Sequence, residues 1–552
     1  MRRFLILALT PTLLWAAMPI RAAETFKPVV VVSVSSYEKL VQDIRFFLDP
    51  RIVALGAEVF KQSLGVPLDP STLSPIGWDA RRPLILVVET DGQTYPMYGF
   101  LPTTELNRLL ASSVAAGKLK PPAGGVFQVS AADQTWFVTQ KAHWAVFANS
   151  RGGLNAAPSE PTRTLAALNA SHDLAIRVYL RNLPSEARKV AGLWLKEGHQ
   201  VVLDRRPGES DLELAVRNAA ANQGLQWAAS LAEDGDMFVA GLSLDLHARS
   251  AVVDLETTAR PGTSTAESLA APHKAKSDFG GFLTPTAMLS GMWTGEIARM
   301  PLYRALNVFD AVVGQLAPDQ NHQPVADFWQ SIRESLLAES VDGGVAIAAR
   351  ANGLTLTLGG SIPDGAKLER RLKEMAAVTT EQASGEGLTW KLDVARFQDI
   401  RLHEVSIPIP KNAKDRATLV RLLGESMEAA VGIGDQSVYV AMGKNPVAAI
   451  KHVAQGSRAK GPRKQQPVQV TLSLATLARF LADLKLDNDV PQLARLADLL
   501  EQTGGKDHVK LTAGPIERGL HARLETEEGV LRALANLLGS AQPARAAPRA
   551  RK

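Results

Sequence analysis

Cysteine is absent from the 552 residues. That excludes disulfides, lipid attached to cysteine, iron–sulfur clusters and thiolate zinc sites. Beyond the first twenty or so residues no run reaches the ~18 uninterrupted apolar residues of a spanning helix, which excludes a polytopic helical membrane protein. The short signatures of common enzymes are missing too. There is no Gly-x-Ser-x-Gly elbow, no Gly-x-x-x-x-Gly-Lys-Ser/Thr phosphate loop, no Gly-x-Gly-x-x-Gly after a strand and no His-Glu-x-x-His.

Charge of one sign is also scarcer than the formal +5 suggests. Arg2, Arg3 and Arg21 lie in the first 23 residues, and Arg545, Arg549, Arg551 and Lys552 lie in the last twelve, leaving 24–540 near −2. A nearly neutral body gives no support to nucleic-acid binding.

What is present begins with an export signal. Arg2 and Arg3 precede an apolar run from Phe4 to Met18, and Ala22 and Ala23 precede polar Glu24. This is the order of a cleavable secretory leader. Residues 1–23 are read as signal peptide, with a periplasmic or secreted destination. Export without cysteine fits a bacterial envelope better than an animal secretory pathway. The Ala/Pro/Arg stretch 541–552 is read as a disordered basic tail.

The remaining length exceeds the ~250–300 residues at which single cores stop growing. Two series of elements recur within it. Leu84 to Leu110 reads as strand, Asp-Gly turn, strand, proline and helix, and Gly344 to Leu372 reads the same way with Asn-Gly in the turn. Gly92, Gly99 and Pro102 in the first copy correspond in spacing to Gly353, Gly360 and Pro363 in the second. These six are assigned structural turn and cap roles, with Thr103 or Thr104 and Asp364 as helix caps. Leu242–Thr257 and Val509–Thr526 form another pair, each a hairpin ending in Leu-Glu-Thr. Val30–Phe47, Leu174–Trp194 and Val468–Leu484 share a strand-then-helix plan.

The predicted fold class is therefore α+β, with two related lobes of mainly antiparallel, hairpin-rich sheet and helices on one face. The lobes are 24–274 and 275–540, the second a duplicate of the first. Ser264–Lys276 is the expected junction loop, and Gln455–Gln466 an exposed connection after a helix ending near Val453.

Candidate chemistry is sparse. Ser36-Tyr37-Glu38-Lys39 has the Ser-x-x-Lys spacing of penicillin-recognising acylases, where one helical turn brings amine to hydroxyl. The supporting Ser-Asp-Asn and Lys-Thr-Gly elements are absent, so Ser35 or Ser36 is read as a helix cap. Ten single histidines include no metal-binding i, i+4 pair. His247 and His521 are read as strand positions, polar side out. Asp234-Gly235-Asp236 and Asp487-Asn488-Asp489 read as turns rather than calcium loops. Trp136, Phe137, Trp144 and Phe147 form an expected aromatic hairpin, and Trp293 and Trp329 flank a helical region, all read as core.

The passage Pro75 to Leu110, with its basic-Pro-apolar strand, Asp-Gly and Gly-Phe-Leu-Pro before a helix, resembles a group of uncharacterised secreted proteins abundant in planctomycetes. The resemblance extends to the strand and helix from Val30 and to Val126–Ser150. It implies export and an α+β fold, and brings no activity, cofactor or site residue with it.

The functional expectation is an exported, non-enzymatic envelope protein acting as scaffold or interaction module, with no cofactor and no metal. The alternative is a carrier of lipid or another hydrophobic ligand in an apolar cleft. An enzyme with a site assembled from distant residues ranks third.

Overall fold

The computed structural model describes residues 26–47, 69, 77–112, 119–131, 134–161, 168–190, 230–270, 276–295, 306, 323–337, 341–350, 353–382, 389–409, 416, 420, 423–460, 463–464, 466–484 and 490–540. The expected signal peptide, the expected tail and Asp487-Asn488-Asp489 lie outside them.

The first strands are β1 (Lys27–Val34), β2 (Leu84–Thr90), β3 (Met97–Pro102), β4 (Leu119–Ala123), β5 (Val126–Ala131), β6 (Gln134–Lys141), β7 (Trp144–Ala148), β8 (Leu174–Val178), β9 (Gly235–Asp245) and β10 (Ser250–Ala259). After the two-residue β11 (Lys276–Ser277) come β12 (Leu289–Thr294), β13 (Asp342–Arg350), β14 (Gly353–Ser361), β15 (Thr389–Phe397), β16 (Ile400–Pro408), β17 (Ser426–Ile433) and β18 (Ser437–Gly443). The two-residue β19 (Arg463–Lys464) pairs with β11, and β20 (Val468–Ser473), β21 (His508–Ile516) and β22 (Gly519–Glu527) complete the series.

All but β11 and β19 join one open antiparallel sheet. From one edge the order is β4, β5, β6, β7, β3, β2, β1, β8, β9 and β10. It continues through β22, β21, β20, β12, β13, β14, β18, β17, β16 and β15. Counted inward from β15, the second run has the same order of connections as the first counted inward from β4. The runs meet at β10 and β22, which pair from Ser250↔Glu527 to Thr258↔Gly519.

The helices are α1 (Tyr37–Phe47), α2 (Leu106–Ser112), α3 (Arg151–Ala156), α4 (Ser264–Ala270), α5 (Gln323–Leu337), α6 (Gly365–Gln382), α7 (Pro446–Lys460), α8 (Leu474–Leu484), α9 (Val490–Glu501) and α10 (Glu528–Ser540). None of these is long and apolar enough to cross a membrane. They cover both faces of the sheet, not the one expected. Val431 of β17 packs with Leu368, Leu372 and Met375 of α6, whereas its neighbour Ala430 packs with Ile450, Val453 and Ala454 of α7. Successive strand residues point to opposite faces, so a strand apolar at both needs a helix on each side. Val146 and Ala145 of β7 do the same with Leu154 of α3 and Leu106 of α2.

The hairpins form as expected. Asp91 closes the β2–β3 turn by accepting from the N–H groups of Gln93 and Thr94 at 2.9 and 2.7 Å, and Gly92 supplies a φ of +94°. Gly353 opens β14 at φ +144°, and Asp364 caps α6 by accepting from Lys367 N–H at 2.8 Å just after Pro363. Pro102 ends β3 opposite Trp144. Gly99 and Gly360, however, sit inside strands, not in a turn or cap. A Cβ on Gly99 would lie 2.2 Å from the Phe147 ring, and one on Gly360 would lie 2.4 Å from Leu336.

Other local expectations shift. Thr103 donates to Gly77 C=O at 2.6 Å, and α2 starts only at Leu106, whose N–H donates to Gln140 Oε1 at 3.3 Å. Within the expected junction, Ser264–Ala270 is helix α4. Helix α7 runs on to Lys460, past the expected end at Val453, because buried Ser457 ties it to the segment before β12 by accepting from Gly281 N–H at 3.0 Å. Gly235 and Asp236 are not a turn but the start of β9, where buried Asp236 pairs with Arg181 at 3.1 Å. His247 lies in the β9–β10 turn, not in a strand. Trp144, Trp293 and Trp329 are core, Trp293 on β12 and Trp329 on α5.

Candidate functional site

The Ser-x-x-Lys pair stands at the start of α1, where β1 ends. Ser36 accepts from Lys39 N–H at 3.2 Å, as an N-cap does, and its hydroxyl donates to Ala80 C=O at 3.2 Å. The hydroxyl is therefore held by backbone rather than by an amine. Lys39 points elsewhere. Its ammonium donates to Asp43 Oδ2 at 2.7 Å and to Asp173 Oδ1 at 2.6 Å.

Each acid is placed by regular structure. Asp43 is one helical turn beyond Lys39 on α1, the i, i+4 spacing that brings side chains together. Asp173 immediately precedes β8. Its backbone is clamped by Ser35 N–H and Leu242 C=O, and its Oδ2 accepts from Leu244 N–H at 2.8 Å. Burial pulls the Lys39 pKa down, but the hydrogen bonds to Asp173 and Asp43 outweigh it and leave the group above the ordinary lysine value. A lysine so held is a charged donor at neutral pH, whereas the amine of an acylase has to accept a proton.

Beside this triad opens a cleft of about 620 Å³ lined by Ser35, Lys39, Asp43, Asn169, Ala170, Ser171, His172, Asp173 and residues 243–246, where β9 ends and its turn begins. His172 lies across the backbone of Gly241, where any Cβ would come within 2.4 Å of the ring, and its Nδ1 is 3.4 Å from Ser243 Oγ. Asp245 accepts from the N–H groups of His247 and Ala248, both at 2.8 Å. These bonds, the one from Ala248 foremost, hold its carboxyl below the usual carboxylate range.

A second cluster joins Glu369 of α6, Asp393 of β15 and His403 of β16, close enough together to suggest a metal centre. Its chemistry does not fit one. Lys373 Nζ already bridges the two carboxylates, at 2.8 Å from Glu369 and 2.9 Å from Asp393, and Arg401 adds a second cation at 2.9 Å from Glu369. His403 Nδ1 accepts from Asp393 N–H at 3.1 Å. A neutral ring that accepts at Nδ1 carries its proton on Nε2, the atom facing Glu369 at 4.0 Å. A metal would need that nitrogen bare. The set is a closed group of two acids, two cations and a buried imidazole whose pKa is lowered, chiefly by burial.

Sequence reasoning found Ser36 and Lys39 but not Asp173, Asn169, Asp245 or the Glu369 cluster. Only sheet pairing brings these residues together, and no short spacing announces them. His521, expected to point outward from a strand, bonds through Nε2 to buried Asp254 of β10 at 2.9 Å. No family model matches the chain, and neither the curated proteins nor the solved structures contain a match to it.

Proposed function

We propose that the protein is an exported, non-enzymatic component of the cell envelope, a two-lobed scaffold that works by binding. One observation carries the non-enzymatic reading. The nucleophile and amine spaced for acyl transfer at the start of α1 are both committed elsewhere, Ser36 to capping α1 and Lys39 to its two acids, and Ser457, which has the same spacing to Lys460, is buried and accepts from Gly281 N–H. Treating the purified protein with a fluorescent β-lactam and a serine-directed fluorophosphonate tests this. No adduct is expected in intact-mass measurement, and a stoichiometric adduct on Ser36 would overturn the reading.

The duplication of lobes is supported by the shared order of connections in the two ten-strand runs. It is supported again where they meet. Aligning Leu255-Glu256-Thr257 of β10 with Leu524-Glu525-Thr526 of β22 sets Asp254 against Arg523, and these two residues face each other across the strand pair. Copies related by a two-fold axis meet in this way. A crystal structure of the full chain checks it, since the two runs should superpose through a two-fold-like rotation and failure to do so would end the idea.

A second reading, carriage of an acyl chain, has its own observation. Leu242, Val253, Leu524 and Leu511 are paired in register across β9, β10, β22 and β21 and so share a face. Leu524 and Leu511 remain 37% and 38% exposed. Native mass spectrometry of gently purified protein separates the readings, because a carrier retains lipid and a scaffold does not.

A further inference from the structure

The edge strand β15 is held in its bulged form from inside, by a titratable ring. Between the pairs Lys391↔Glu404 and Ala395↔Leu402, the three residues Leu392, Asp393 and Val394 stand opposite His403 alone. Asp393 takes a φ of +53°, a left-handed conformation uncommon outside glycine and suited to a bulge. Two ties keep it there. Its carboxylate accepts from Lys373 Nζ at 2.9 Å, and its N–H donates to His403 Nδ1 at 3.1 Å. His403 is fully enclosed, and that bond is its ring's only hydrogen bond among the described residues, since Nε2 has no partner.

A neutral imidazole can accept at Nδ1, but an imidazolium cannot, because both of its nitrogens donate. Protonation therefore sets Nδ1–H against Asp393 N–H and at the same time gives Nε2–H a carboxylate to approach, Glu369 at 4.0 Å. Glu369 and Lys373 face the ring from α6, Asp393 from β15 and Arg401 from β16 itself, while β17 sets uncharged Val431 opposite it. The two acids and the two cations act in opposite directions, so burial decides the sign and the ring is neutral at neutral pH. At the other edge of the sheet, β4 occupies the same place in its run. Its register with β5 shifts across Pro121 and Pro122, which do not titrate.

We propose that His403 is an acid-operated latch on the β15 edge. Neutral, it holds the Leu392–Val394 bulge closed; protonated, it swings toward Glu369 and lets the bulge open while the rest of the sheet stays paired. Leu392 and Val394, already 40% and 37% exposed, and the backbone groups of the strand then become available at the edge that carries no proline. The latch is independent of whether the sheet acts as scaffold or carrier.

Hydrogen exchange of the full-length protein, read by mass spectrometry and corrected for the intrinsic effect of pH on exchange, tests this between about pH 7.5 and about pH 5. Protection in peptides covering 389–397 should be constant above about pH 6.5, the ordinary histidine value. Below it, protection should fall by up to about tenfold per pH unit, because the open form takes up the proton first. Peptides covering 119–131, at the proline-bearing edge, should show no such fall. His403→Asn sets a neutral oxygen near the place of Nδ1, and His403→Gln removes the titration with a longer side chain that fills more of the space. The pH dependence should vanish in both, with thermal unfolding midpoints showing which variants are folded. Constant protection in the unaltered protein, a fall shared equally by 119–131, or a fall that a folded variant retains would each overturn the proposal.

Discussion

Without the Lys39 ammonium, two carboxylates whose side chains are only 5% and 10% exposed would face each other with no cation between them. Lys39→Met should therefore destabilise the protein by about 1–3 kcal/mol. That is less than a fully buried pair would lose, because the lysine side chain is itself half in water. Adding Asp43→Asn to that variant should restore part of the loss, and urea unfolding measures both. The raised Lys39 pKa fixes the sign with pH. Its contribution is complete below the unfolded lysine value of about 10.4 and is lost as pH rises through the higher folded value. His403 acts at the other end of the scale. Burial lowers its pKa, so the unfolded chain takes up the proton first, and stability falls as pH drops below about 6.5. Replacing it, His403→Gln, should flatten the unfolding midpoint between about pH 7 and about pH 5.5. An equally steep slope in that variant would assign the effect to other groups.

Elements were legible where their signal was local and illegible where a distant neighbour shaped them. The β2–β3 hairpin was readable because near neighbours in the chain, Thr90, Asp91 and Gly92, close it. The equal spacing of Gly99 and Gly360 was visible as well, but its cause was not, since the ring over Gly99 belongs to Phe147 on β7 and the methyl over Gly360 to Leu336 on α5. The difference between those neighbours makes a prediction. A phenyl ring already packed against Trp136 at 5.8 Å between centroids yields poorly, whereas the tip of a leucine can rotate. Gly99→Ala should cost about 2–3 kcal/mol and Gly360→Ala about half that, read from denaturant midpoints. The end of α7 was misjudged for the same reason, as nothing in Gln455–Lys460 reveals that Ser457 will meet Gly281. In the cleft the sequence exposed only Lys39 and the candidate cap Ser35, and Asp173 and Asn169 arrive there through the β1–β8 pairing.

At the scale of the whole molecule, the open sheet has two edges and one seam, and each is handled differently. Edge strands invite pairing with other chains unless they are blunted. On β4 the consecutive Pro121 and Pro122 remove two N–H donors where the register with β5 shifts. On β15 a bulge puts three residues opposite one on β16, with Asp393 at φ +53° and tied to Lys373, which bends that edge and charges it. The seam has no such device. Its ladder runs unbroken from Ser250↔Glu527 to Thr258↔Gly519, as regular as the β21–β22 ladder beside it. It also carries the His521–Asp254 bond and an Arg523–Asp254 contact at 3.8 Å. Two ten-strand runs joined by continuous sheet should unfold together, so calorimetry should show one transition whose van't Hoff and calorimetric enthalpies agree. Leu524→Pro takes a donor and the extended geometry from the middle of β22, with a cost of about 3 kcal/mol or more concentrated at the seam. That variant should uncouple the halves and split the transition in two. Two transitions already present in the unaltered protein would show instead that the seam transmits little, however regular its ladder.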